Sequence, residues 1–208
     1  MPSDRPLLTG AHVRLEPLEG RHVDALVTAA AGDPELYRWT FVPVDRDGMR
    51  RYVEDAVAAR GAGSAIPFAT VRQADGAVVG STRFCYLERW DWPADHPRAA
   101  EPDGIDGCEI GYTWLTSGAV RTPVNTEAKL LMLTYAFEER HALRVCFHTD
   151  VRNDRSRRAI ERIGGGFEGV LRGHRMASDY GPRDSARYSI VAPEWPAKRA
   201  ALQQLLDH

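Results

Sequence analysis

Glu109 opens the run Glu-Ile-Gly-Tyr-Thr-Trp-Leu, and Asn125, Asn153 and Ser156 stand at the starts of two later periodic segments. These residue types can accept a proton, cap a helix, hold an amide and donate a hydroxyl. Their order along the chain matters as much as their chemistry. An apolar strand runs from Cys108 to Leu115, followed by the polar turn Arg-Thr-Pro-Val-Asn-Thr-Glu and an apolar helix over 127–140. A second strand follows at Arg144–Thr149, then a helix over 154–163 stopped by Gly164-Gly165-Gly166. Such an order builds a site between two strands that faces a helix N-terminus. The unpaired N–H groups and positive macrodipole end there suit a pyrophosphate.

Each candidate has a functional and a plain structural reading. Asn125 either caps a buried helix or also gives its amide to a ligand. Asn153 either caps the next helix or holds an amide of the ligand, and Ser156 is either a hydroxyl aimed inward or a small packing residue. Ser156 lies four positions before Ile160, so the two share a helix face. Glu109 is the preferred general base: desolvation in a closing site raises a carboxyl pKa and readies it for an ammonium proton. Its plain reading is a solvated strand end. Gly111 suits a bulge that frees backbone N–H groups. Glu127, in the first turn of its helix, is expected to point away from an anion. Arg152, Arg155, Arg157 and Arg158 either steer a phosphate or form a solvated face with an Arg157–Glu161 pair.

Other signals fall away. Gly164–Gly169 spells GxGxxG, but after a helix and before a strand, the reverse of a dinucleotide fingerprint. Seven histidines show no metal-ligand spacing, so no metal is expected. Cys108 reads as a buried strand residue rather than a nucleophile.

The rest of the chain supplies the frame. Residues 12–18 alternate as a strand, and Val23, Leu26 and Val27 mark a helix ending near Gly32-Asp33-Pro34. Met49, Tyr52, Val53, Ala56 and Val57 give an amphipathic helix closed by Gly61. Pro67–Arg72 and Val78–Tyr86 flank a turn at Ala74-Asp75-Gly76. Residues 87–107 lose all periodicity and form a long loop with acids at Asp91, Asp95, Glu101, Asp103 and Asp106. These acids either draw a cationic amine or serve solubility. Phe167–Arg175 and Ala186–Val191 read as strands about a turn at 179–183, and Pro196–Leu206 as a helix.

With 208 residues, 43% apolar and 27% charged, the chain has the make-up of a soluble protein, read as one domain over 1–208. A net charge of −2 gives no case for nucleic acid, and no apolar run approaches a membrane span. Three scattered cysteines and an N-terminus without an apolar core point to a reduced, cytoplasmic protein.

The stretch from Glu109 to Phe167 resembles the acyl-coenzyme A core of the GNAT N-acetyltransferases, most closely the RimJ/RimL-like branch. The family's usual turn, Arg/Gln-x-x-Gly-x-Gly/Ala, is matched at Arg121, while Val124 and Thr126 fill its small positions. The wording Pro-Val-Asn-Thr-Glu-Ala-Lys, with Asn125 in place of glycine chemistry, is similar to that branch. So are the opening His-Val-Arg-Leu-Glu-Pro-Leu, Glu168-Gly-Val-Leu-Arg, Arg183-Asp184 and Glu194-Trp195-Pro196. The resemblance implies a mixed α/β (α+β) fold, with about seven strands and helices on both faces. Acetyl-CoA would lie between the Glu109 and Arg144 strands and pass its acetyl group directly to a primary amine, of a protein N-terminus or a small molecule. Ile110, Gly111, Tyr112, Thr113, Trp114, Arg121, Asn125, Thr126, Asn153, Ser156 and Arg158 would hold the coenzyme, with Glu109 and Ser156 catalytic. Many members carry a tyrosine where this chain has Ile160, which leaves Ser156 to aid the departing thiolate. Trp39, Phe41, Tyr86, Trp90 and Trp92 either line an acceptor pocket (Trp39, Tyr86 and Trp90 foremost) or pack the long loop onto the fold or a second subunit. Two rivals stand beside this reading: a non-catalytic acyl-CoA sensor of the same fold, and a cleft for another phosphorylated ligand. A homodimer stays open.

Overall fold

Val13 and Leu15 are fully buried while Arg14 and Glu16 turn outward and pair at 2.6 Å, the physical outcome of the alternation at the start of the chain. A computed structural model describes residues 5–32, 34–101 and 104–207. The first four residues, Asp33, Pro102, Asp103 and His208 lie outside the described residues, so the helix stop and the loop acid placed there receive no structural account.

The strands are β1 (Leu8–Thr9), β2 (Val13–Pro17), β3 (Ala65–Arg72), β4 (Val78–Glu88), β5 (Gly107–Leu115), β6 (Arg144–Asp150), β7 (Gly166–Met176) and β8 (Pro182–Val191). They form one eight-stranded sheet in the order β1-β2-β3-β4-β5-β6-β8-β7. The strand beyond the expected seven is β1, too short for a pattern to mark it. Among the described strands, β5 and β6 make the parallel pair and all other pairs are antiparallel. A parallel pair needs a crossover, and helix α3 below supplies it.

Among the described residues five α-helices cover the sheet: α1 (Val23–Ala30), α2 (Arg46–Gly61), α3 (Pro123–Thr134), α4 (Asp154–Arg162) and α5 (Trp195–Leu206). Met49, Val53 and Ala56 pack with Leu26, Ala69 and Trp114 in one core cluster. Met132, Leu133 and Leu202 pack with Phe68, Ile110 and Tyr188 in the other. Helix α3 begins four residues before its expected start at Glu127. Thr122 caps it by accepting from the Val124 N–H at 3.4 Å, and Pro123 takes the first helical position, where its missing N–H costs nothing. After Thr134 the helix widens into a π-turn over Tyr135–Glu139.

Glu127 does turn away from the space between β5 and β6. Its carboxylate accepts from the N–H groups of Ala11, His12 and Val13 at 2.6–2.8 Å, pinning α3 to the β1–β2 turn. Gly10 makes room for it, since a Cβ there would stand 2.3 Å from the Glu127 Cδ.

Candidate active site

Strands β5 and β6 pair from Gly107/Arg144 to Glu109/Cys146 and no further. Beyond Glu109 the facing strand edges have no ladder partner in each other, so their backbone groups look into a gap. That gap opens a cleft of about 1190 Å³, ample for a ligand of coenzyme size. Its walls are β5 from Glu109 to Leu115, the first turns of α3 and α4, Phe147 to Thr149 of β6, and the segment 36–41.

A bulge shapes the β5 wall. Tyr112 and Thr113 together face Thr82 of β4, and Tyr112 sits in the left-handed region at φ +52°. Gly111 was the expected site of this bulge; the residue after it takes the strain, held by the Arg83 guanidinium 4.0 Å from the Tyr112 ring. The turn of the chain there points Thr113 Oγ1 at Thr82 Oγ1, 2.8 Å away, and Lys129 Nζ donates to Thr113 Oγ1 at 2.8 Å. Lys129 lines the cleft yet is buried with no carboxylate beside it in the described structure, and burial alone pulls its pKa down to about 7.

Two helix starts meet at one end of the cleft. Arg121 precedes the α3 cap in a left-handed conformation at φ +63°. Asn125 is the third residue of α3 rather than its cap, which corrects the sequence reading: Thr122, followed by proline, holds that position. Asn153 does cap α4, its Oδ1 accepting from the Ser156 N–H at 3.0 Å. Thr126 Oγ1 accepts from Arg162 at 2.9 Å, joining the two helices. All eleven residues from Ile110 to Arg158 that the family resemblance singled out line this one cleft, as do Glu109 and Trp39.

The arginine run has other duties than the expected solvated face. Arg155 donates to the Leu36 carbonyl at 2.6 Å, and Arg152 pairs with Asp150 and Asp179 while lying 4.7 Å from the Trp39 ring centre. Arg155 ties α4, and Arg152 the turn before it, to the segment that carries Trp39 and Phe41. The foreseen Arg157–Glu161 pair is bridged by Tyr188, whose hydroxyl accepts from Arg157 at 3.1 Å and donates to Glu161 at 3.0 Å.

Tyr86 and Trp90 do not line the cleft. Tyr86 is half exposed beneath the Arg175 guanidinium, 4.7 Å from the ring centre. Trp90 belongs to the long loop, which one buried carboxylate fastens. Asp106 accepts from the Trp90 N–H at 2.7 Å, from Trp92 Nε1 at 3.0 Å and from Arg98 Nε at 2.9 Å. Trp90, Trp92 and His96 pack on one another within the loop, and Asp106 anchors the two tryptophans at the start of β5. Asp106 is consumed inside it, and Asp91, Asp95 and Glu101 stand outside the cleft lining.

At the other end of the cleft Glu109 is nearly buried, at 4% exposure. Arg175 donates to both its oxygens, at 3.1 and 2.7 Å, and His148 Nδ1 lies 2.9 Å from Oε2. Burial pushes the carboxyl up, as expected, but His148 and Arg175 outweigh it and hold the pKa down at about 2. The expectation of a raised pKa is therefore corrected. Both oxygens are engaged, and the carboxylate binds a proton too weakly to act as a base near neutrality. Both ring nitrogens of His148 are buried without an aligned hydrogen-bond partner among the described residues, so Nδ1 meets Glu109 as a close charge contact and Nε2 meets no acceptor. Cys108 is buried and its thiol is pushed well above the usual range, which removes it as a nucleophile.

Arg175, His148, Lys129 and Arg183 all line the cleft and were missed in the sequence. His148 carried a faint signal: it lies two positions past Cys146 on the strand beside Glu109, hence on the same face. Lys129 lies four residues after Asn125 on α3 and so shares its helix face, while Arg175 and Arg183 come from strands whose register no local pattern reveals.

Comparison with known proteins identifies the family and the fold. The family model described as an acetyltransferase (GNAT) domain matches residues 12–165. A GCN5-related N-acetyltransferase from Brucella melitensis is similar at 30% identity, over 98% of this chain and 86% of that one, with a TM-score of 0.81. Mycobacterium smegmatis RimJ, solved with CoA-disulfide, shares the fold at 21% identity, covering 96% and 92% of the two chains with a TM-score of 0.75. RimL, the ribosomal L7/L12 alpha-N-protein acetyltransferase solved with coenzyme A, shares it at 16% identity, 89% and 98% coverage and a TM-score of 0.70. A search of curated proteins finds no match.

Proposed function

Because the chain belongs to the acetyltransferase (GNAT) family, and is an N-acetyltransferase by that membership, we propose that it passes the acetyl group of acetyl-CoA directly to a primary amine with both substrates bound at once. The observation that supports this most is the continuity of the cleft. Two helix starts and the splayed β5 edge stand at one end, and a buried proton-handling cluster stands at the other. A single sheet running from Leu8 to Val191 supports one working domain.

In this reading the first turn of α3, Arg121 and Arg158 take the phosphates, while Asn125 and Asn153 hold amides of the pantetheine arm. Backbone groups of β5 around the Tyr112 bulge orient the acetyl carbonyl. The amine nitrogen attacks the carbonyl carbon, the C–S bond breaks, and the sulfur leaves as thiolate with a hydrogen bond from Ser156. The proton lost by the ammonium goes to His148 Nε2, and Glu109, fixed by Arg175, orients the imidazole from its other side. Holding both reactants in one cleft supplies the rest, so no covalent enzyme intermediate is needed.

A thermal-shift comparison of acetyl-CoA, coenzyme A and ATP, followed by thiol release across an amine panel, tests the proposal. Saturating coenzyme should stabilise the fold by about 2.7 kcal/mol at 100 times its Kd, with ATP ineffective. Stabilisation with no thiol release from any amine would instead favour the sensor. A shift with ATP alone would assign the cleft to another ligand.

A further inference from the structure

Arg183 stands directly across from Arg175 in the β7–β8 ladder. Like charges placed opposite one another destabilise a sheet unless something neutralises them. Glu109 neutralises Arg175 through two hydrogen bonds. Nothing comparable serves Arg183. Its Nε donates to Ser185 Oγ at 3.0 Å, while one terminal nitrogen is buried without a hydrogen-bond partner among the described residues. Burial, and then Arg175, press its pKa below the usual range; Glu109 and Asp150 oppose this only in part, each being paired with another arginine. A buried charged donor left unpaired is costly, so its persistence at the wall of a cleft calls for a ligand.

The charge of the cleft points the same way. Among the described residues lining it, Glu109 is the only carboxylate, and it is already spent on Arg175 and His148. Of the lining cations on α3 and α4, Arg155 donates to the Leu36 carbonyl, Arg162 to Thr126 and Lys129 to Thr113. At the acceptor end one positive charge is left over, and a simple ammonium would be repelled there.

Resting on the acetyl-transfer reading, we propose that the acceptor is a primary amine that also carries a carboxylate, and that Arg183 binds this carboxylate. Guanidinium and carboxylate match as planar partners with paired hydrogen bonds. The carboxylate has two possible sources, the α-carboxylate of a free amino acid or an acidic side chain just behind a peptide N-terminus.

The test compares free L-amino acids with their α-carboxamides, and short peptides bearing Glu with the same peptides bearing Gln at the second position. With acetyl-CoA saturating, kcat/KM for the anionic member of a pair should exceed that of its neutral twin by about 10- to 100-fold. A preference confined to amino acids or to peptides identifies the source. Arg183→Gln should bring the ratio close to one, mainly through the acceptor KM, with the KM for acetyl-CoA kept, and Arg183→Lys should restore part of it. Parent protein that acetylates neutral twins as well as anionic ones overturns the inference while leaving acetyl transfer standing, and needs no variant. Absence of transfer to every acceptor, with coenzyme unbound, overturns the acetyl-transfer reading and this inference with it.

Discussion

The two ends of the cleft are built from different materials. At the helix end the proposed recognition groups are the unpaired N–H groups of two helix starts, with Asn125, Thr126, Asn153 and arginines such as Arg158 lining the cleft beside them. Forming these costs the fold little, because a helix start leaves its N–H groups unpaired anyway. At the opposite end Glu109, His148, Arg175 and Arg183 place charged or ionisable groups in or beside the core. There each group depends on its neighbours, and removing one strands another. The first end should therefore tolerate substitution with a loss of affinity and, where a helix cap is removed, about 1 kcal/mol of stability, whereas the second should lose several times that stability together with turnover.

Glu109→Gln is the harshest trial of that contrast. With a carboxyl pKa held at about 2 against the usual 4.5, Glu109 contributes stability that is fully present above pH 4.5 and lost as pH falls towards 2. Urea unfolding at neutral pH should show the variant less stable by roughly 3 kcal/mol, and the gap to the parent should close in acid. Turnover should fall by about 10²–10⁴, because His148 loses its orienting partner. A variant with parental stability at pH 7 would mean that the buried pair holds nothing together. Lost stability with parental turnover would reduce the pair to scaffolding.

How legible each end was in the sequence follows from the same difference. The helix end is written in one contiguous stretch, since Arg121, Asn125, Asn153 and Ser156 announce helix starts through local capping chemistry. Even there the α3 cap was misplaced by three residues: Thr122-Pro123 is a standard cap and first position, but the polar turn disguised it. The acceptor end joins β5, β6, β7 and β8, and only pairing registers bring Glu109 to Arg175, 66 positions away. Periodicity locates strands but cannot align them. That also explains why spacing left Tyr86 and Trp90, aromatic and near strand ends, between an acceptor pocket and loop packing, whereas the structure places both outside the cleft lining. Their partners, Arg175 and Asp106, were invisible from sequence spacing.

Lys129 is the exception that sharpens the comparison, a buried cation on the helix α3 that belongs to the inexpensive end. With its pKa lowered from 10.5 to about 7, the folded protein binds fewer protons than the unfolded chain between those values. Stability therefore rises with pH across that window. Relative to Lys129→Met, the parent should gain on the order of 3 kcal/mol between about pH 6.5 and 9.5. Denaturation curves that stay parallel for the two proteins over this range would show the amine to be solvated rather than buried.

The smallest effects come from the two asparagines, and they separate capping from ligand binding. Asn153 caps α4 through the Ser156 N–H, so its side-chain oxygen already has a structural partner. Asn125 sits inside the first turn of α3, whose cap is Thr122, and so owes the helix nothing comparable. Asn153→Ala should cost about 1 kcal/mol of stability from the lost cap, together with coenzyme affinity. Asn125→Ala should leave the melting temperature of the free protein within a degree or two and weaken coenzyme binding by roughly 0.5–2 kcal/mol, one or two hydrogen bonds. Calorimetric titration with coenzyme A beside a melting curve reads both quantities. If Asn125→Ala lowered the melting temperature as far as Asn153→Ala and left affinity untouched, the helix end would be built from interdependent side chains like its counterpart. The contrast between an inexpensive backbone site and a costly side-chain site would then be lost.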